Sequence, residues 1–378
     1  MNSILFDLYE AQPYGTSKFH GGGEYIKAVF KYLVENYSNK AHIYVYYNFD
    51  SFLDDWVLNL IKEYTIPAFD VKIRSEVKKI IEDKNIDIWY SGIPYHYEKS
   101  DVGNNAILKG TIHGLRSIEM PGDRYAYLYS NGKQSIKELV KYMVRGRYKE
   151  REIKKISSCI RMLDELICDS EHSKYSLIQK YPELNDKKVN VYYAPQKVSA
   201  LYQMDTGEKP YILLLGGDRW VKNAYRAMMA LDMLYTDKLI ENHEVYVVGN
   251  VNKKIRARIK NNLHFKELGY VGTEKLEELY RNCELLLYPS LNEGFGLPPL
   301  EAMKYGKTCI VSGICSLPEI CGEAAYYVNP VDGDEIATRV LCALAQPINP
   351  ELAISQFKKI LNRESQDIDK LCQFIITK

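Results

Sequence analysis

Short runs of β-branched and aromatic residues alternate along the chain with longer stretches whose apolar residues recur every three or four positions. That alternation predicts parallel strands joined by helices. In the first half, strands are expected at residues 43–47, 86–90, 108–112, 165–168 and 189–193. A polar stretch at 202–210 has the composition of a linker, and the pattern restarts at 211–215 and continues through 244–248, 285–288, 308–311 and 325–328. The expected fold class is α/β, with two Rossmann-like domains facing across a cleft: residues 1–205, with a hinge near 205, then residues 206–350. Residues 351–378 read as one or two C-terminal helices, which can pack back toward the first domain. Open α/β sheets bind ligands beyond the C-terminal ends of their strands, so functional motifs are expected in the segments that follow strands.

Composition narrows the function classes. A chain of 378 residues is long enough for two full cores, and 46% hydrophobic with 26% charged residues is ordinary for a globular protein. No stretch supplies the ~20 successive apolar residues of a membrane span. The 50 basic and 49 acidic side chains create no global field favouring nucleic acid, which is not expected as a partner. The start MNSILFDLYEAQPYG lacks a positive region ahead of an apolar run, so a cytoplasmic protein is expected. Eight cysteines, none in a CxxC pair, make neither a disulfide framework nor a zinc pattern; the evenly spaced Cys309, Cys315 and Cys321 read as buried thiols.

The most informative segment runs YPSLNEGFGLPPLEAM over residues 288–303. It leaves a strand, passes Gly294 and Gly296, and meets Pro298 and Pro299, which suit a first helical turn because their missing N–H groups are unpaired there anyway. A helix start with adjacent glycines can hold an anion. Glu293 precedes this place and Glu301 is expected in the first helical turn, where the helix dipole alone also favours a carboxylate. In YILLLGGDRWVKN, residues 211–223, a second strand runs into glycines and then into Arg219 and Lys222. That pair suits a diphosphate and equally suits a solvated surface.

Taken in order, GGDRWVKN, ELGYVGTEKLEELYRNCELLLYPS, NEGFGLPPLEAM and SLPEICGEAAYYVNP resemble the retaining glycosyltransferases of family four, which have the two-domain GT-B fold. The resemblance covers nearly all of residues 211–345. It implies that Glu293 contacts the donor sugar and Glu301 the ribose of a nucleotide sugar, that Phe295, Gly296 and Leu297 offer backbone groups to sugar and phosphate, and that Val271 lies where the family holds the base. Lys222 is the implied phosphate ligand. Gly217 stands where many members carry a phosphate-binding arginine, with Arg219 two residues later as its candidate replacement.

In the first domain, Gly21-Gly22-Gly23 precedes the amphipathic run 26–33, and the resemblance sets Gly22 and Gly23 at the donor phosphates; a flexible turn fits them as well. Thr111-Ile112-His113-Gly114 follows a strand, and the resemblance faces His113 toward the donor sugar, although Gly114 replaces the usual aspartate. Asp169-Ser170 reads as a helix cap, as does Asp332-Gly333-Asp334, whose letters also match a metal-binding Asp-x-Asp. Residues 133–155 hold nine Lys or Arg against three Glu, interleaved with Ile136, Leu139, Val140, Tyr142 and Met143, a pattern shared by solvated helices and by segments that lie on anionic membranes.

The function this implies is transfer of a sugar, with retention, from a UDP- or GDP-sugar to a saccharide or lipid-linked glycan acceptor, in polysaccharide biosynthesis. No cofactor or metal is expected, and Glu293, His113, Lys222 and Arg219 are the expected catalytic residues. An epimerase or phosphorylase of the same fold, a non-catalytic nucleotide-sugar binder and a nicotinamide oxidoreductase are the alternatives. The last lacks a GxGxxG after a first strand.

Overall fold

The computed structural model describes residues 1–13, 20–186, 188–193, 195 and 210–378; the 202–209 part of the expected linker, with the hinge at 205, lies outside the described residues. Thirteen strands form two sheets among the described residues. The first contains β1 (Ser3–Asp7), β2 (His42–Tyr47), β3 (Ala68–Asp70), β4 (Ile88–Ser91), β5 (Ile107–Ile112), β6 (Glu165–Cys168) and β7 (Val189–Val191), in the order β3-β2-β1-β4-β5-β6-β7. The second contains β8 (Tyr211–Leu215), β9 (Glu244–Val248), β10 (Phe265–Gly269), β11 (Leu285–Tyr288), β12 (Thr308–Ser312) and β13 (Tyr326–Val328), in the order β10-β9-β8-β11-β12-β13. All pairings are parallel. Helices cover sheets of this kind on both faces, which is why β11 and β12 are buried at every position and carry continuous apolar runs.

Strands β1, β3 and β10 are absent from the expected set. Ser3–Asp7 is a short buried run without alternation, Ala68–Asp70 is a three-residue edge, and Phe265–Gly269 mixes charge into the strand. The C-terminal residues form one helix, Pro350–Ile376. No helix among the described residues is long and apolar enough to cross a membrane.

The chain divides into two compact units, but not at a single cut. Unit 1 is Met1–Leu115, Arg151–Val198 and Asn362–Lys378; unit 2 is Arg116–Glu150 and Ser199–Leu361. The segment Arg116–Glu150 therefore departs from the expected first domain. Leu128 is fully buried in the core of the second sheet, among Ile212, Leu214, Leu231 and Val247. Asp123 meets Arg226 through two hydrogen bonds, at 3.2 and 2.7 Å, with both residues only 8% exposed. The backbone N–H of Tyr225 donates to the Tyr129 hydroxyl at 2.7 Å. Nothing in the local pattern of residues 116–150 announces a partner a hundred residues away.

In unit 1 the end of the C-terminal helix closes on β5. The Lys109 ammonium, 1% exposed, donates to the carbonyls of Phe374 and Thr377 at 2.7 and 2.5 Å and pairs with Glu165 at 2.6 Å. Tyr37 donates to Asp369 at 2.6 Å, and the backbone N–H of Tyr193 donates to Asp367 at 3.1 Å.

Removing one member of a buried ion pair strands the other charge. Asp123→Ala is expected to destabilise unit 2 by about 3–5 kcal/mol, and Asp123→Leu combined with Arg226→Met to recover most of the loss, as read from urea unfolding midpoints.

Candidate active site

The order of the second sheet reverses between β8 and β11, so the segments leaving those two strands diverge and leave a crevice at their C-terminal ends. Both informative segments of the sequence lead there. After β8 the chain turns at Gly216, where φ is +74° and an added Cβ would lie 2.5 Å from Lys222 Cγ, so glycine is required both by the turn and by the lysine passing over it. Trp220–Lys222 form a single 3-10 turn, and Asn223 takes the left-handed conformation at φ +63°. Its side-chain amide donates to the carbonyls of Pro289 at 2.9 Å and Pro330 at 2.6 Å. The N–H of Leu291 donates to Val221 O at 2.7 Å, so the two loops are clipped together on both sides of Lys222.

Between these clips Lys222 reaches Glu293. Its ammonium donates to Glu293 Oε1 at 2.6 Å and also contacts the Tyr288 hydroxyl. Tyr288 and Ser290 donate to the same oxygen at 2.7 and 2.5 Å. Glu293 is 8% exposed. Burial pushes its carboxyl up, but the Lys222 charge and the hydrogen bonds from Lys222, Ser290 and Tyr288 outweigh it and hold Glu293 below the usual glutamate range. Lys222 is itself held below the usual lysine value by burial, which Glu293 opposes and the positive charges of Arg219 and Arg116 reinforce. The two directions have one explanation. Glu293 is compensated by the pair and its hydrogen bonds, whereas for Lys222 burial is the main cost and two further cations, Arg219 and Arg116, add to it.

The loop then passes Phe295, 5% exposed, and Gly296, at φ +116°, before the helix Leu297–Met303. A Cβ on Gly296 would lie 2.8 Å from Leu317 Cδ2. Ser316 donates to the carbonyls of Glu293 and Phe295 at 3.1 and 2.7 Å, fixing the loop from beneath. Glu301 is the fifth residue of this helix and not in its first turn, so the dipole reading of that carboxylate does not apply. Burial raises it from the ordinary value of 4.5 to about 6, with the Tyr280 hydroxyl opposing and Glu277 adding. Val271 follows β10, the edge strand of the same sheet.

Gly217 is also fixed. An added Cβ would come within 2.9 Å of the Gly249 carbonyl, so this loop has no room for an arginine side chain at 217. Arg219 is exposed, close enough to Lys222 to depress it.

Unit 1 groups the remaining candidates. Its sheet reverses order between β1 and β4, and Gly22 and Gly23 lie in the first turn of the helix Gly21–Tyr37, capped by His20, whose Nδ1 accepts from Gly23 N at 3.0 Å. A Cβ on Gly22 would lie 2.5 Å from the movable end of the Ile93 side chain, and one on Gly23 would lie 3.0 Å from the backbone oxygen of Ala11, so close packing against the loop after β1 favours glycine at 23. His113 follows β5, with Nε2 2.9 Å from Gly92 O and Nδ1 3.0 Å from Asp169 Oδ2. Tyr25 meets the ring edge-on at 4.6 Å.

Several participants were not assigned from sequence. Asp169 orients His113, while Ser170, accepting from Ser173 N at 3.1 Å, is the helix cap. Tyr288 and Ser290 sit in the segment that begins at the strand end, but only the folded loop turns their hydroxyls onto Glu293. Asp332 caps the helix Gly333–Ala345 by accepting from the N–H groups of Asp334 and Glu335, both at 3.0 Å. All eight cysteines are free thiols, with Cys309 and Cys321 buried and Cys315 partly exposed.

Residues 204–359 match the family described as glycosyl transferases group 1. O-antigen chain mannosyltransferase B of Escherichia coli is 42% identical over 89 residues, 24% of this chain and 23% of that protein. O-antigen chain mannosyltransferase RfbU of Salmonella typhimurium is 28% identical over 159 residues, 41% of this chain and 44% of that protein. The chain thus spans less than half the length of these curated relatives. Among solved structures, Anabaena HepE in complex with UDP-glucose superposes with a TM-score of 0.65 at 14% identity, over 99% of this chain and 98% of that one. WaaG, a glycosyltransferase involved in lipopolysaccharide biosynthesis, gives 0.62 at 13% identity over the whole of both chains. At these identities the likeness bears on fold, which is that of the GT-B glycosyltransferases.

A raised carboxylate pKa penalises the ionised form in the fold. The cost is absent below the unfolded value of 4.5 and complete above about 6. Glu301→Gln is therefore expected to gain up to about 2 kcal/mol over the native chain at pH 8 and nothing at pH 4, in urea unfolding at the two pH values.

Proposed function

We propose that this chain, whose residues 204–359 match the group 1 glycosyl transferases, moves a sugar from a nucleoside-diphosphate donor to a saccharide or lipid-linked glycan acceptor, with retention at the anomeric carbon. The observation that carries the reading is the Lys222–Glu293 pair at the point where the second sheet reverses order. Breaking a glycosidic bond to a nucleoside diphosphate places growing negative charge on the leaving phosphate and positive charge on the sugar. A buried ammonium among further cations, already oriented, stabilises the first without reorganising. The Glu293 carboxylate accepts from the sugar hydroxyls and lies near the positive charge that develops at the ring.

The other positions of unit 2 follow as parts of its donor site. Arg219 supplies a second cation to the diphosphate from the exposed side of the loop. The backbone at Phe295, Gly296 and Leu297 meets sugar and phosphate, Glu301 accepts from the ribose hydroxyls, and Val271 contacts the base. In unit 1, Gly22 and Gly23 serve the phosphates and His113, oriented by Asp169, serves the donor sugar. The acceptor proton passes to the leaving phosphate oxygen. Because Lys222, Arg219 and Arg116 provide the positive charge, the reaction uses no metal. The similar O-antigen chain mannosyltransferases support mannose as the transferred sugar and a surface polysaccharide as the product.

Glu293→Gln keeps the shape that receives Lys222, Tyr288 and Ser290 but removes the charge. It is expected to lower transfer by about 100-fold or more and, because the Lys222 charge is then stranded, also to lower the melting temperature; full activity in the folded variant would sink the reading. The donor class is read from thermal shifts against a panel of nucleotide sugars, with Glu301→Ala reducing the shift. Release of nucleoside diphosphate is expected to require acceptor and to be unchanged by EDTA. Donor conversion without acceptor would indicate an epimerase, and restoration by manganese after chelation would overturn the metal-free mechanism.

A further inference from the structure

The helix Gly132–Met143 belongs to unit 2 and keeps only one side against it. Ser135 is its buried residue, with its hydroxyl at the carbonyls of Tyr127 and Ser130. The opposite side is apolar and bare. Ile136 is 63% exposed, Leu139 37%, Val140 45%, Met143 70% and the capping Val144 42%. These positions follow the i, i+3, i+4, i+7 spacing of one helix face, so they form a continuous stripe. An amphipathic helix ordinarily turns that stripe inward, and here it faces out.

The flank of the stripe decides what it meets. Lys133, Lys137 and Lys141 recur every fourth residue and form a row beside it. Among the described residues Lys133 and Lys137 form no ion pair, so their charge is not spent inside the protein. The excess continues beyond the helix. Residues 133–155 hold nine Lys or Arg against three Glu, in a chain whose totals are 50 and 49. Protein interfaces are depleted of lysine at their centres, whereas helices that lie in a bilayer surface place large apolar side chains between rows of lysine and arginine.

We propose that this face of the helix Gly132–Met143 seats on an anionic lipid bilayer, with Ile136, Leu139, Val140 and Met143 entering the headgroup–acyl boundary and the lysine row meeting lipid phosphates. The site is separate from the Lys222–Glu293 crevice and stands whether or not the chain transfers sugar. It gives a protein without a spanning helix among its described residues a means of working at a membrane.

Vesicle flotation of the full chain tests it. Binding to vesicles of phosphatidylcholine with 30% phosphatidylglycerol in 0.1 M NaCl is expected to exceed binding to pure phosphatidylcholine by at least about tenfold, and to fall comparably in 0.5 M NaCl. Ile136→Glu with Met143→Glu removes the apolar insertion, and Lys133→Gln with Lys137→Gln removes the charge. Each pair is expected to reduce binding at least about tenfold while the melting temperature and nucleotide-sugar thermal shifts stay those of the native chain, because all four side chains are exposed. Equal binding to neutral and anionic vesicles, or unchanged binding by the glutamate variant, overturns the proposal. So does an absence of vesicle binding together with a dimer, seen by light scattering, that the glutamate variant dissolves; the face then joins two copies of the chain.

Discussion

The second unit is organised around one constraint: a carboxylate and an ammonium removed from water must be paired and hydrogen-bonded or not be there at all. Glu293 and Lys222 come from loops 71 positions apart in sequence, and their ends meet at 2.6 Å. For that to happen Gly216 must be glycine so the lysine stem can pass, Asn223 must turn left-handed and hold two prolyl carbonyls, and Tyr288 and Ser290 must aim their hydroxyls at one carboxylate oxygen. The pair is thus a statement about the whole mouth of the sheet. A protein seeking stability alone gains little from a buried ion pair, since apolar residues of equal volume often serve as well or better. Its presence where the strand order reverses fits chemistry more readily than packing.

The charge balance around the pair points the same way. Glu293 is compensated by Lys222, but Lys222 also feels Arg219 and Arg116, and burial and these cations together hold its charge at a disadvantage. An anion near Lys222 would relieve this cost, whereas a neutral ligand would not. Glu301 is a different case. Burial outweighs the Tyr280 hydroxyl and the Lys304 charge that oppose it, Glu277 adds to it, and the Glu301 carboxyl rises to about 6.

Unit 1 uses the same device with another residue type. His113 is fixed at both nitrogens, by a carbonyl on the loop after β4 and by Asp169 after β6, so its ring has no freedom to rotate toward other partners. Gly22 packs against Ile93 of that same loop, which ties the start of the helix Gly21–Tyr37 to the histidine through one short segment.

The sequence alone determined the α/β class, ten of the thirteen strands, the strand–loop–helix placement of Glu293 and the candidacy of Lys222. It could do so because these are local matters: buried parallel strands need continuous apolar runs, and sharp turns need glycine and proline. Ser3–Asp7 escaped because five residues without alternation carry little periodic signal, although it pairs with both β2 and β4 inside the first sheet. Tertiary structure alone decided that Arg116–Glu150 belongs with the second sheet, through Asp123–Arg226 and Leu128, and that Glu301 lies beyond the first helical turn. It also showed that no arginine fits at position 217, that Asp169 is the partner of His113, and that one face of the helix Gly132–Met143 is left uncovered. Each of these depends on which distant residue comes to lie within a few ångströms, and chain neighbours say nothing about that.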